Sequence, residues 1–227
     1  MATKAVLAEL TRAFQERTGQ SVVLDSAGGV DVARRVRAGE PFDVVALARD
    51  AIETLLAAGH LVGNAVELVH SGVAVAVRGG APRPDISSED AVRRAVLAAR
   101  TVGTSTGPSG QALTRLFERW GVAAELRERL VMAPPGVPVG ALVASGRVEL
   151  GFQQLSELAS LEGVDVLGPL PSPIQIVTTF SAAVGARARQ PEAARALIAF
   201  LASPATADVK RRHGLEPAAR APEGSAP

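Results

Sequence analysis

Two long β-rich runs limit the fold most: VELVHSGVAVAVRGGAP at residues 66–82 and VDVLGPLPSPIQIVTTFSAAVGA at residues 164–186. Each exceeds an average strand, so each reads as extended chain that leaves one sheet and enters another. Because they bracket the middle of the chain, they predict two lobes joined by two hinge crossings. Lobe I takes residues 1–76 and 170–227, and lobe II takes residues 77–169. The intervening pattern alternates strand with helix. FDVVALA at 42–48 is a near-continuous apolar run, as expected of a strand covered on both faces. That rhythm predicts an α/β fold in which each lobe is a mainly parallel sheet flanked by helices, a clamshell with a ligand cleft between its lobes.

Further elements follow from periodicity. Helices are expected over residues 3–18, 31–39, 50–58, 86–99 and 192–203, with strands at 22–24 and 42–48. Ser87 or Ser88 caps the 86–99 helix, and the closing APEGSAP is a frayed tail.

Composition excludes several functions. The 227 residues carry 24 Lys plus Arg against 23 Asp plus Glu, a net charge of +1, and aromatics are 3%. Neither bulk charge nor an aromatic-studded basic face recruits nucleic acid. With no Cys there are no disulfides, thiolate nucleophiles or Cys-based metal sites. His60, His70 and His213 are too far apart for a metal-binding signature, so neither a metal nor a cofactor is expected. No apolar run is long enough for a membrane span.

The chemistry concentrates in TVGTSTGPSGQALTRLFERW, residues 101–120. A short apolar strand runs into a Ser/Thr/Gly loop and then into a helix whose Ala112, Leu113, Leu116 and Phe117 share one face. Ser109 reads as the helix N-cap. Unpaired amides, hydroxyls and the positive end of a helix dipole are an anion-binding combination. VVLDSAGG at 22–29 repeats the design.

In this order and spacing the chain resembles the type II periplasmic binding proteins, in particular the molybdate-binding group of ABC-transporter substrate-binding proteins. The resemblance runs from about Ala2 to Glu216. It rests on the helix ending FQERTG, VVLDSAGGVDVARRVRAGEPFDVVALA, AAGHLV, LVHSGVAVAVRGGAP, GTSTGPSG, ALVASGRVELGFQQLSEL and the closing LASPATADVKRRHG. It implies a small anion held between the lobes by hydroxyls and main-chain amides. Carried across, the ligand-binding positions are Ser26, Gly28 and Gly29; Ser105, Thr106, Ser109 and Gly110; Val137, Pro138 and Val139 at a helix start; and Gln153 with Gln154, where molybdate binders tend to have tyrosine. It also implies a monomer whose partners are the anion and an ABC transporter permease, with no membrane insertion.

Two departures follow from the resemblance. The family opens with a strand and a Ser-bearing loop ahead of the first helix, and here the chain opens at that helix, so the first strand is missing. Met1 would then be internal; the address is periplasmic if an upstream signal was removed, and cytoplasmic if Met1 is the true start. The glutamines and the STGPSG loop are also more polar than a tetrahedral-oxyanion cage requires, which suits an organic acid, with Arg78 as a possible carboxylate partner. No catalytic signature stands out, and a receptor for a small anion is expected. The alternative is an isomerase of the aconitate isomerase kind on the same scaffold, for which His70, Glu157 and Asp31 are the available bases.

Overall fold

The computed structural model describes residues 2–134 and 136–218. The expected tail at 221–227 lies outside the described residues. The chain divides into two compact units, one formed by Thr3–His70 with Thr179 onward, the other by Ser71–Thr178. The expected crossings at 76/77 and 169/170 thus fall inside the second unit.

The first unit opens with α1 (Lys4–Thr18), closed by Gly19 at φ 72°, the left-handed conformation that glycine adopts without strain. α2 (Gly29–Arg37), β1 (Val44–Ala48) and α3 (Arg49–Ala57) follow. β2 (Leu61–Arg78) then runs on into the second unit. β7 (Val177–Gly185) returns to pair antiparallel with β1, Val45 opposite Ala183 and Leu47 opposite Ser181. β8 (Glu216–Pro217) pairs antiparallel with Val69 and His70 of β2. Two apolar layers sandwich this sheet. Val45, Leu47 and Ala183 pack against Ala33 and Val36 of α2 and Ile52 and Leu55 of α3. On the other face Val6, Leu10 and Phe14 of α1 meet Leu197, Ile198 and Leu201 of α9 (Pro191–Ala202). α10 (Ala207–Arg212) closes this unit.

The second unit holds α4 (Glu89–Ala98), β3 (Val102–Thr104), α5 (Pro108–Arg119), α6 (Ala123–Leu126), β4 (Leu130–Met132), α7 (Val139–Ala144), β5 (Leu150–Gln154), α8 (Leu155–Leu158) and β6 (Val164–Pro169). Its strand order is β6-β2-β5-β3-β4. β3 runs parallel to both β4 and β5, while β2 is antiparallel to β5 and β6. The α/β class stands, but the sheets are not mainly parallel: the second unit mixes parallel β3–β4 and β3–β5 with antiparallel β2–β5 and β2–β6, and the first unit's pairs among the described residues, β1–β7 and β2–β8, are antiparallel. One face of this sheet carries Val73, Val75, Val102, Leu150 and Phe152 against Val92 and Val96 of α4 and Leu113 and Phe117 of α5. The opposite face is stripped down at Gly103 and Gly151 so that α7 can lie close. A Cβ on Gly151 would fall 2.4 Å from Val143.

One expected element does not form. Residues 22–24 make no strand, and Val23 is 94% exposed. Among the described residues this stretch pairs with no strand, although β1, laddered with β7 on one side, ends the strand order. Side chains hold it instead: Gln15 Oε1 accepts the Val22 amide at 2.7 Å, and Asp25 pairs with Arg35 at 2.7 Å. Ser88 caps α4 as expected, its hydroxyl accepting the Ala91 amide at 3.2 Å.

Candidate functional site

In the second unit the loop between β3 and α5 is built by a strand that ends abruptly. All three residues of β3 are buried, and the Thr104 carbonyl accepts the Ala133 amide at 2.9 Å, the last rung before the chain turns away. Ser105, Thr106 and Gly107 lead into α5. The N-cap is Gly107 in extended conformation with Pro108 at the first helical position, so Ser109 lies inside the first turn and is not the cap. Proline suits that place because its missing N–H would have been unpaired, and its ring presets the helical φ. The amides of Ser109 and Gly110 are therefore the leading donors of a twelve-residue helix.

Gly110 is fixed by crowding. A Cβ there would stand 1.7 Å from the Ser105 carbonyl oxygen, so the loop is folded directly onto the helix. That fold brings the Ser105 and Ser109 hydroxyls to 3.4 Å. Thr106 is exposed beside them.

Two buried oxygens complete this edge. Thr104 Oγ1 and Gln154 Oε1 have no hydrogen-bond partner, while Gln154 Nε2 donates to Thr178 Oγ1 at 2.8 Å. Both residues end parallel strands that pair as neighbours, Val102 beside Leu150 and Gly103 beside Gly151. By the alternation of side chains, Thr104 and Gln154 share the face that carries Val102 and Phe152, the face covered by α5. An unpaired buried polar atom costs roughly 1–3 kcal/mol. Both stand at the carboxyl ends of adjacent strands, the side of an open α/β sheet on which ligands generally bind.

Gln153 points to the opposite face and is already engaged. Its Oε1 accepts the Gly140 amide at 2.8 Å, and its Nε2 donates to Glu157. It thus takes up one of the leading amides of α7. Of the expected helix-start group, Val137 spends its amide on the Pro134 carbonyl at 3.0 Å, and Pro138, the N-cap, has no N–H to give. The Val139 amide is the remaining main-chain donor of that turn. Arg78 ends β2 at the far edge. The antiparallel register sets Val73 beside Gln154, and Arg78 beside Val164.

In the first unit Gly28 is the N-cap of α2 and Gly29 its first residue, two positions ahead of the expected start, with Ser26 half-buried in the preceding loop. Asp31 lies in that first turn and pairs with Arg34 at 3.1 Å. Further along, Arg35 binds Glu40, whose carboxyl is thereby held below the usual range. Sequence reasoning took in the loop from Thr104 but did not single Thr104 out. The signal was a hydroxyl closing a wholly apolar strand.

Comparison with known proteins adds the family. Residues 1–216 match the bacterial extracellular solute-binding protein family. An aconitate isomerase of a Pseudomonas species is 38% identical over 216 residues, 92% of this chain and 82% of that protein. The fold is shared with the periplasmic molybdate-binding protein of Azotobacter vinelandii, at TM-score 0.77 and 21% identity, covering 94% of this chain and 95% of that one. It is also shared with the substrate-binding domain of a putative molybdenum ABC transporter from Clostridium difficile, at TM-score 0.74 and 15% identity, covering 96% of each. Among the described residues no helix is long and apolar enough to cross a membrane. The chain belongs to the bacterial extracellular solute-binding protein family.

Proposed function

We propose that this chain binds a small organic anion at the β3–α5 edge of its second unit, as a solute-binding protein that serves an ABC transporter permease from the periplasmic side. One observation carries this reading: the leading amides of α5, the paired Ser105 and Ser109 hydroxyls, and the unpartnered Thr104 and Gln154 oxygens gather at the carboxyl ends of β3 and β5. Amides and hydroxyls hold an anion by donating to it without a counter-charge. Gln154 Oε1 is an acceptor, which a ligand bearing a hydroxyl or protonated carboxyl satisfies and a bare metal oxyanion does not. The loop of Ser26, Gly28 and Gly29 in the first unit offers a second set of donors. A second reading, isomerisation of a small unsaturated organic acid, is favoured by the 38% identity to an aconitate isomerase.

The test is a thermal-shift and calorimetry series against molybdate, tungstate, sulfate, phosphate, and di- and tricarboxylates. A ligand at a hundred times its Kd stabilises by about 2.7 kcal/mol, readily seen as a rise in Tm. Carboxylates are expected to respond. Ser105→Ala and Ser109→Ala should each weaken binding at least tenfold, by about 1.4 kcal/mol, with little change in the Tm of the free protein. A response confined to molybdate and tungstate would sink the organic-acid reading. A fall in Tm without loss of affinity would make the serines structural.

A further inference from the structure

A cavity of about 250 Å3 opens in the first unit where three pieces of chain end together. α2 is followed by Gly39 at φ 83° and α3 by Gly59 at φ 75°, the left-handed conformation that closes a helix. β7 ends on Gly185, where a Cβ would run into the Phe42 carbonyl. The His60 carbonyl accepts the Ala186 amide at 3.0 Å and so ties the end of α3 to the end of β7. None of the three glycines has a side chain to fill the hollow. Its apolar lining comes from Val36, Val45 and Phe42, whose ring is fixed beneath the Arg35 guanidinium, 5.0 Å from the ring centroid.

Arg37, His60 and Arg187 line the same cavity, and none of them meets a carboxylate among the described residues. The acids nearby are already engaged. Glu40 Oε2 accepts Arg35 Nε at 2.7 Å, and Asp43 Oδ1 accepts the Arg189 and Gln190 amides at 2.6 and 2.9 Å. Arg187 Nη1 donates to the Gly39 carbonyl at 2.8 Å, which steadies the guanidinium and leaves the rest of its five donors unspent. The His60 amide donates to the Leu55 carbonyl at 2.9 Å, while its imidazole makes no hydrogen bond among the described residues. Offsetting the negative end of the α2 dipole accounts for a positive charge on Arg37, but not for a hollow that gathers three such side chains over an apolar lining.

We propose that this cavity is a second binding site, which takes a small organic anion: a carboxylate or phosphate monoester group between Arg37 and Arg187, with His60 as a further partner, and an apolar body against Phe42 and Val45. Guanidinium forks match both oxyanions, and their planar donors can hold either in two-point fashion. The volume lies just below the roughly 300–1,000 Å3 of pockets for drug-sized ligands, so the guest is small. The apolar lining favours an organic anion over an inorganic one, because only the former has apolar surface to bury. All of the lining belongs to the first unit, so the site is independent of the β3–α5 edge.

The experiment is calorimetric titration of the full chain with phenyl phosphate, benzoate and inorganic phosphate, with proton NMR of the His60 imidazole, assigned through His60→Gln. At least one organic anion is expected to bind about tenfold tighter than inorganic phosphate and to move the His60 signals. The tighter of the two tells a phosphate monoester site from a carboxylate site. Arg37→Glu, at an exposed position, and Arg187→Ala should each weaken that binding by about tenfold or more. Ser105→Ala combined with Ser109→Ala, in the second unit, should leave it within about twofold. Unchanged affinity in Arg37→Glu overturns the inference, and decides the matter if Arg187→Ala, which removes the bond to Gly39, does not fold. Binding that the paired serine substitutions abolish belongs to the β3–α5 edge and overturns it too. Inorganic phosphate bound as tightly as both organic anions overturns it, as does the absence of saturable binding by any of the three at about 1 mM.

Discussion

The two Ser/Gly loops of this protein are close to the same sentence in sequence and differ in structure. In the second unit the loop follows β3, a buried strand with β4 on one side and β5 on the other. In the first unit it follows Val22–Leu24, which pairs with nothing among the described residues and leaves Val23 in solvent. The lesson is that a loop of hydroxyls and glycines becomes a defined cradle only when the chain entering it is held. β3 stops at Thr104 on a fixed rung, so Ser105 has a fixed place to fold back against Gly110.

That contrast can be broken by substitution, most sharply at the glycines. Gly110→Ala drives a Cβ into the Ser105 carbonyl and is expected to cost about 3 kcal/mol or more. Gly28→Ala, whose nearest neighbour would be Asp31 Oδ2 at 3.6 Å, should cost only about 0.5 kcal/mol, the low end for placing alanine at an N-cap. Urea unfolding reads both. Trp120, the single tryptophan, reports on the second unit by fluorescence, and far-UV circular dichroism reports on the whole. Equal costs would mean that the first loop is as tightly held as the second.

The strands entering the loops make the next test. Val102→Ala empties a buried position in a packed layer and should lose about 2.5 kcal/mol. Val23→Ala removes a side chain already in solvent and should change stability by less than about 0.5 kcal/mol. A large loss at Val23 would show that residues 22–24 are packed in solution.

Lys210 sharpens the comparison from the other side. In the second unit the unsatisfied polar atoms, Thr104 Oγ1 and Gln154 Oε1, lie at the carboxyl ends of β3 and β5. In the first unit Lys210, in α10, is 2% exposed among Val6, Leu7, Leu10, Leu68, Val69 and Leu201. Desolvation lowers its pKa from 10.5 to about 8. The unfolded chain therefore binds the extra proton between those values, and stability should rise as pH climbs from about 8 to about 10.5. Lys210→Met should stabilise by about 2 kcal/mol at pH 7, discounted for residual solvation, and by less as pH approaches 10. Thermal melts of both proteins across that range check it. A destabilised variant at pH 7 would mean that the ammonium has an acceptor.

Much of this was legible in the residues, because helices announce themselves locally. The spacing of Val6, Leu10 and Phe14 gives α1, and Ser88 marks the start of α4. The apolar run at 42–48 yields β1, trimmed to Val44–Ala48. What was missed depended on distant chain. The strand expected at 22–24 needed a neighbour that no local pattern reveals. Ser109 was read as a cap although Pro108, one residue earlier, carried the better signal for a first helical position. The Gln153 contact was equally out of reach, since nothing in GFQQLSEL shows that its side-chain carbonyl accepts the Gly140 amide. Lys210 gave no sign at all, since a lysine in KRRHG reads as surface.

β2 crosses from the first unit to the second at His70, and β7 returns at Thr179. The second unit is thus one unbroken stretch of chain, whereas the first is assembled from two pieces with all of 71–178 lying between them. As the chain leaves the ribosome, the second unit can complete its contacts as soon as Thr178 has emerged. The first must hold α1, α2 and α3 without their β7 and α9 partners until residues beyond Thr178 have emerged, and must then close a loop that spans the whole second unit. A second unit already compact shortens that closure, so the order of synthesis favours the β3–α5 edge being finished before the unit that carries α1.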